Sequence, residues 1–161
     1  MTASGSIRRP ARPPRIAVLS VSPAREDHFH LQEILSSPQR TLYPDLAFSV
    51  TAKSTVPAAV GVLKHGRTSI VVCENDLSPG AWKELLDCAD RLPAPPPIIV
   101  TSRLADERMW AEVLNLGGYN VLAKPLDGEE VVRTIAAAWS LWRHQFQGMA
   151  AGSLEAGGNA A

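Results

Sequence analysis

The sequence predicts an α/β domain built on one doubly wound sheet of five parallel strands, ordered 2-1-3-4-5, with helices on both faces. Three observations predict it. Short apolar runs rich in β-branched residues recur along the chain, each is followed by a segment with helical spacing, and the stronger runs are apolar at consecutive positions. Consecutive apolar residues mark strands covered on both faces, and strand–helix alternation brings each new strand in parallel to the sheet. The 161 residues leave room for one such domain and two tails. In a doubly wound sheet, ligands sit at the carboxyl ends of the strands, beside the reversal of strand order.

The elements follow in chain order. Residues 15–21 hold Ile16-Ala17-Val18-Leu19, the first strand. Residues 25–35 have helical spacing, with Phe29, Leu31, Ile34 and Leu35 as the expected buried positions. Residues 48–51 form a weaker second strand, and Pro57 suits the first turn of a helix that ends near Gly66. Residues 69–73 are a strong third strand. Residues 81–92 form a helix whose inner face carries Trp82, Leu85, Leu86 and Ala89. The run Pro93-Ala94-Pro95-Pro96-Pro97 stops that helix and leads into strand four, residues 98–101. A helix over 105–116, a short strand over 120–123 and a long helix from Asp127 complete the series.

Composition narrows the function. Hydrophobic residues make up 45% of the chain and charged residues 20%, the balance of a globular domain. No apolar stretch reaches the roughly 18 residues needed to span a bilayer, and the N-terminus lacks a secretory apolar run, so a cytoplasmic location is expected. Sixteen basic and sixteen acidic residues cancel, which argues against a nucleic-acid-binding or membrane-binding body. The neutrality is a sum of unlike parts: Arg8, Arg9, Arg12, Arg15 and Arg25 all precede the first acid, Glu26. Residues 1–14 are expected to be a disordered basic arm, 15–147 the domain and 148–161 a disordered Gly/Ala-rich tail. Cys73 and Cys88 are too few for a disulfide framework or a four-ligand zinc site and are expected as reduced thiols. His28 and His30, two apart, point to different faces of a helix.

The strand ends hold the residues that matter. Ile98-Ile99-Val100-Thr101-Ser102 ends in hydroxyls, Gly117-Gly118-Tyr119-Asn120-Val121-Leu122-Ala123-Lys124-Pro125 ends in a Lys-Pro pair, and Cys73-Glu74-Asn75-Asp76-Leu77-Ser78-Pro79-Gly80 is an acidic strand–loop junction. In these stretches the chain resembles the receiver domain of two-component response regulators, which has this flavodoxin-like arrangement, over residues 15–146. The resemblance implies four parts: an acidic pair ending strand one that holds a divalent ion, an aspartate ending strand three that accepts phosphate, a hydroxyl on strand four and a lysine on strand five.

The chain departs from that pattern. Ser20 and Val21 stand where the acidic pair belongs, and neither replaces two carboxylates. Counting from the strand, Glu74 takes the acceptor place. Counting back from Pro79 gives Asn75 and implies a one-residue insertion, for which Ser78 is the candidate. Asp76 is the other acceptor alternative. Glu74 is one methylene longer than aspartate and is expected to reach Lys124. Thr101, Ser102, Lys124 and Pro125 are retained, but the aromatic switch position is Val121, with Tyr119 two residues earlier.

These departures point to an atypical pseudo-receiver, not an enzyme, that signals by protein–protein contact with no cofactor. The alternative is a phosphorylatable receiver using Asp76 or the Glu74 region, with a Mg²⁺ site rebuilt from Glu26, Asp27 and Asp76. A doubly wound enzyme with a small-molecule site is a third reading, but no Gly-rich loop follows strand one. The receiver-like region is expected to act without an output domain of its own, so the expected partners are a histidine kinase or another signalling protein. A homodimer through the last helix is also expected, because Trp139, Trp142, Arg143 and Phe146 should stand exposed beyond the sheet as an interface anchor. The competing arrangement has the N-terminal arm folded over those rings.

Overall fold

The computed structural model describes residues 12–37 and 43–156, with side chains as far as Phe146. Its elements alternate without exception: β1 Arg15–Val21, α1 Arg25–Ser36, β2 Ala47–Lys53, α2 Val56–Lys64, β3 Ile70–Glu74, α3 Ala81–Asp90, β4 Ile98–Ser102, α4 Glu107–Leu116, β5 Asn120–Ala123 and α5 Gly128–Ala156. All neighbouring strands are parallel and the order is β2-β1-β3-β4-β5, as the alternation predicts. Residues 1–11 of the expected basic arm and residues 157–161 of the expected tail lie outside the described residues. The backbone is helical to Ala156, so α5 runs past the 147 boundary expected for the domain. Ala150 and Ala151, the strongest helix formers, lie in that stretch.

The sheet divides two cores, and strand parity decides which residue enters which. Leu19, Val21, Val71, Cys73, Val100 and Val121 face α2, α3 and α4, with Trp82, Leu85 and Val113 packed on them. Ile16, Val18, Ile70, Val72, Ile99 and Leu122 face α1 and α5, meeting Leu31, Leu35, Val131 and Ile135. Burial on both faces explains why these strands read as continuous apolar runs.

One expected core position is wrong. Phe29 is 69% exposed, while Leu31 and Leu35 are buried. At 100° per residue, position 29 lies about 200° from position 31, whereas position 28 shares its face. His28, not Phe29, therefore turns inward.

Helix ends follow local chemistry. Thr55 Oγ1 accepts from the Ala58 N–H, and Asp106 Oδ1 from the Met109 N–H at 2.8 Å. Asp127 caps α5 by accepting from the Glu130 N–H at 2.9 Å. Gly117, at φ 105°, ends α4 in the left-handed region, and the Gly118 N–H turns back to the Val113 carbonyl at 2.8 Å. Among the described residues, no helix is long and apolar enough to cross a membrane.

Candidate functional site

The carboxyl ends of β1, β3 and β4 lie side by side, with Val21 in register with Cys73 and Glu74 with Thr101. Glu74 is the last residue of β3 and is 2% exposed. By parity it follows Ile70 and Val72 and faces the α1/α5 side. Its Oε1 accepts from the Asp76 N–H and its Oε2 from the Leu77 N–H at 3.0 Å. Both carboxylate oxygens therefore hold the first turn of their own loop. Asn75 Oδ1 closes the same loop by accepting from the Gly80 N–H at 3.3 Å.

Lys124, just beyond β5, enters from the opposite side. Its Nζ lies 3.5 Å from Glu74 Oε1, the contact expected from the sequence, but its closer partner is Asp27 Oδ2 at 2.9 Å. Asp27 comes from the first turn of α1 and also accepts from Ser22 Oγ at 2.6 Å. Burial raises the Asp27 carboxyl. The hydrogen bonds from Ser22 and Lys124, with the positive charges of Lys124 and His28, outweigh that and hold it below the usual 3.8. The lysine is thus bracketed by two carboxylates, one from α1 and one from β3. The Lys124–Pro125 peptide is cis.

The end of β1 is filled by hydrogen bonds instead of carboxylates. Ser20 and Val21 point to opposite faces. Val21 packs into the α2/α3/α4 core, while buried Ser20 meets His28 Nδ1 at 2.7 Å. The other ring nitrogen, Nε2, lies 2.9 Å from the Ser22 carbonyl, which only accepts. Nε2 therefore carries the proton, and in the neutral ring Nδ1 accepts from the Ser20 hydroxyl. Sequence reasoning missed His28, though its place three residues before Leu31 is the signal that finds it.

Ser20, Ser22, Asp27, Glu74, Thr101 and Lys124 together line a cavity of only about 20 Å³. That space suits a single water molecule. Outside it lies an open cleft of about 420 Å³ whose wall includes Asp27, His30, Arg103, Pro125 and Lys124 itself. Among the described residues, no group of three or more His, Cys, Asp or Glu is placed to hold a metal ion. The three acids of the rebuilt-metal alternative are not assembled: Glu26 is exposed, Asp27 is tied to Lys124, and Asp76 is engaged elsewhere.

Asp76 belongs to a second cluster. Its Oδ1 accepts from Ser102 Oγ and its Oδ2 from the Arg103 N–H at 2.7 Å. Ser102 Oγ also accepts from the Leu104 N–H at 3.1 Å. Ser102 and Asp76 thus pin the β4–α4 loop to the β3–α3 loop. Thr101 is buried beside Glu74, and its carbonyl accepts from the Asn75 N–H at 3.0 Å. Val121 is buried in the α2/α3/α4 core, while Tyr119 precedes β5 and packs on the other core, so the two do not share a face. Cys73 is buried, and desolvation, then the nearby Glu74 charge, push its thiol up to about 12. Cys88 is half-buried and reduced.

On the last helix, Arg143 is exposed as expected, but the three rings are half-buried. Trp139 packs partly on the α1/α5 core, with the Arg143 guanidinium 5.2 Å from its ring centroid. Trp142 and Phe146 are half-buried and stack obliquely, 5.8 Å between centroids. These rings lie against their own domain because α5 runs alongside the amino ends of the strands, where the loops before β3 and β4 meet Trp142. Leu141 is the exposed large apolar residue of this stretch.

No family model matches the chain, and no curated protein does. Solved structures do. The receiver domain of Francisella response regulator 1452 superposes with a TM-score of 0.63 at 13% identity, covering 78% of this chain and 97% of its own. The signal receiver domain of a putative Luxo repressor protein from Vibrio parahaemolyticus gives 0.65 at 13% identity, covering 82% and 95%. The pilus assembly protein CpaE from Caulobacter crescentus gives 0.60 at 21% identity, covering 77% and 93%. What the chain shares with these neighbours is the fold, and that fold is the one seen in response-regulator receiver domains.

Proposed function

We propose that the chain is a pseudo-receiver of two-component signal transduction, a cytoplasmic domain that acts by protein–protein contact without Mg²⁺-dependent aspartate phosphorylation. The observation that carries this reading is the bracketing of Lys124. In a receiver that accepts phosphate, the resemblance implies a lysine available to the phosphoryl oxygens and a pair of carboxylates available to the ion. Here the lysine is paired with Asp27 and Glu74, the enclosed space that these three share with Ser20 and Thr101 is about 20 Å³, and β1 ends in Ser20 and Val21. A hard divalent ion needs several converging oxygens, and a phosphoryl group needs both room and donors.

The contact surface in this reading lies on α4. Trp110, Leu114 and Leu116 are exposed on it, Trp110 at 47%, and Leu104 in the preceding loop is exposed at 78%. Large apolar side chains concentrated on one helix and the loop that leads into it suit a partner surface better than the half-buried rings of α5. The partner is a histidine kinase or another signalling protein.

The test is incubation with Mg²⁺ and acetyl phosphate, and separately with beryllofluoride, followed by intact mass and tryptophan fluorescence. Unchanged mass and fluorescence are expected. A saturable, Mg²⁺-dependent change that Asp76→Ala or Glu74→Gln abolishes would overturn the proposal and make the domain a phosphoacceptor.

A further inference from the structure

At the end of the domain away from Lys124, α5 builds a cavity that the signalling reading does not use. The helix starts at Gly128, by the carboxyl ends of the strands, and about 21 Å further on Trp142 meets the loops that precede β3 and β4. Trp142, Leu63, Leu92, Pro93 and Pro96 wall a cavity of about 240 Å³, with Lys64 at its rim. A second cavity of about 370 Å³, between α2 and α3, adjoins it through Lys64 and Leu92 and is lined by Glu84, Asp87 and Arg91.

Three features describe the occupant. The walls are an indole, two proline rings and two leucines, which favour a flat apolar body. Lys64 is exposed and has no ion-pair partner among the described residues, whereas Lys83 and Lys124 both do. The Trp142 Nε1–H is buried and has no acceptor among the described residues. The wall therefore offers the positive charge of Lys64 with no carboxylate of its own, whereas the adjoining space sets Glu84 and Asp87 against Arg91.

We propose that this cavity binds a small aromatic carboxylate, its ring against Trp142 and the prolines and its carboxylate on Lys64. A bicyclic acid fits the volume. The site is independent of the Lys124 cluster, so its test and the phosphorylation test fail separately.

The experiment is a titration of the ¹⁵N-labelled full chain with 2-naphthoate, read at the indole N–H signals of its four tryptophans. The Trp142 signal is assigned by its loss in Trp142→Phe. A saturable shift of that signal is expected, half-complete below about 1 mM, with the other indoles still. Lys64→Gln, an exposed change that spares the fold, should weaken binding roughly tenfold, as should the neutral 2-naphthalenemethanol. No shift by about 1 mM, equal movement of all indoles, or an unchanged affinity in Lys64→Gln would each overturn the proposal.

Discussion

α3 and α4 have the same length, face the same side of the sheet and are joined by the Lys83–Glu112 ion pair, yet they are held in different ways. α3 buries Ala81, Trp82, Leu85, Leu86 and Ala89. α4 buries Val113 alone. What fixes α4 is its ends: the Asp106 cap, the Asp76 bonds to Ser102 and Arg103, and the glycine exit at Gly117. One helix is part of the core, and the other is clipped to it. A clipped helix keeps apolar residues available to a partner and opens at little expense, the two properties that the proposed contact surface would need.

The largest effect should come from the core helix. Leu85→Ala removes a fully buried side chain and should cost about 2–5 kcal/mol, measured by urea unfolding. The matching change on the clipped helix, Leu114→Ala, should stay within about 0.5 kcal/mol. Similar losses at both positions would erase the contrast.

A smaller effect tests the clip itself. Asp76→Ala removes acceptors from Ser102 and Arg103 and should cost about 1–2 kcal/mol. Its signature is local: amide exchange should accelerate in α4 and the β4–α4 loop more than in α3. Uniform acceleration would mean that α4 is held by something other than its ends.

The smallest effect concerns pH and the other side of the sheet. The folded Asp27 carboxyl lies below its unfolded value of 3.8, so its contribution is complete above 3.8 and fades as pH falls through the folded value. Acid unfolding of Asp27→Asn should therefore show a shallower loss of stability below pH 3.8. If α4 is merely clipped, its exchange in that variant should not change.

The two helices also show what a sequence conveys. The inner face of α3 was legible because Trp82, Leu85, Leu86 and Ala89 repeat at helical spacing on one element. The strands and their order were legible for the same reason, through local runs and strict alternation. Glu74 was placed at the end of β3 by counting along the strand. Its bonds to the Asp76 and Leu77 amides were not, because they depend on how the loop turns. The Asp27–Lys124 bridge joins residues 97 positions apart, and nothing local to either announces it. Phe29 was misplaced because hydrophobicity was weighed above phase, which favoured His28. The exposure of the α5 rings was overestimated for a related reason: helix length gives reach, but only the loops before β3 and β4 decide what lies beneath Trp142.

Glu74 carries a further consequence. A phosphoryl group on an aspartate is a temporary charge, added by one protein and removed by hydrolysis, so a conventional receiver keeps time. The negative charge of Glu74 belongs to the side chain, and backbone amides of its own loop hold it in place. It has no lifetime shorter than that of the folded chain. Under the proposed function, occupancy of a partner would follow mass action alone, governed by how much of the chain is present and what competes for the same surface.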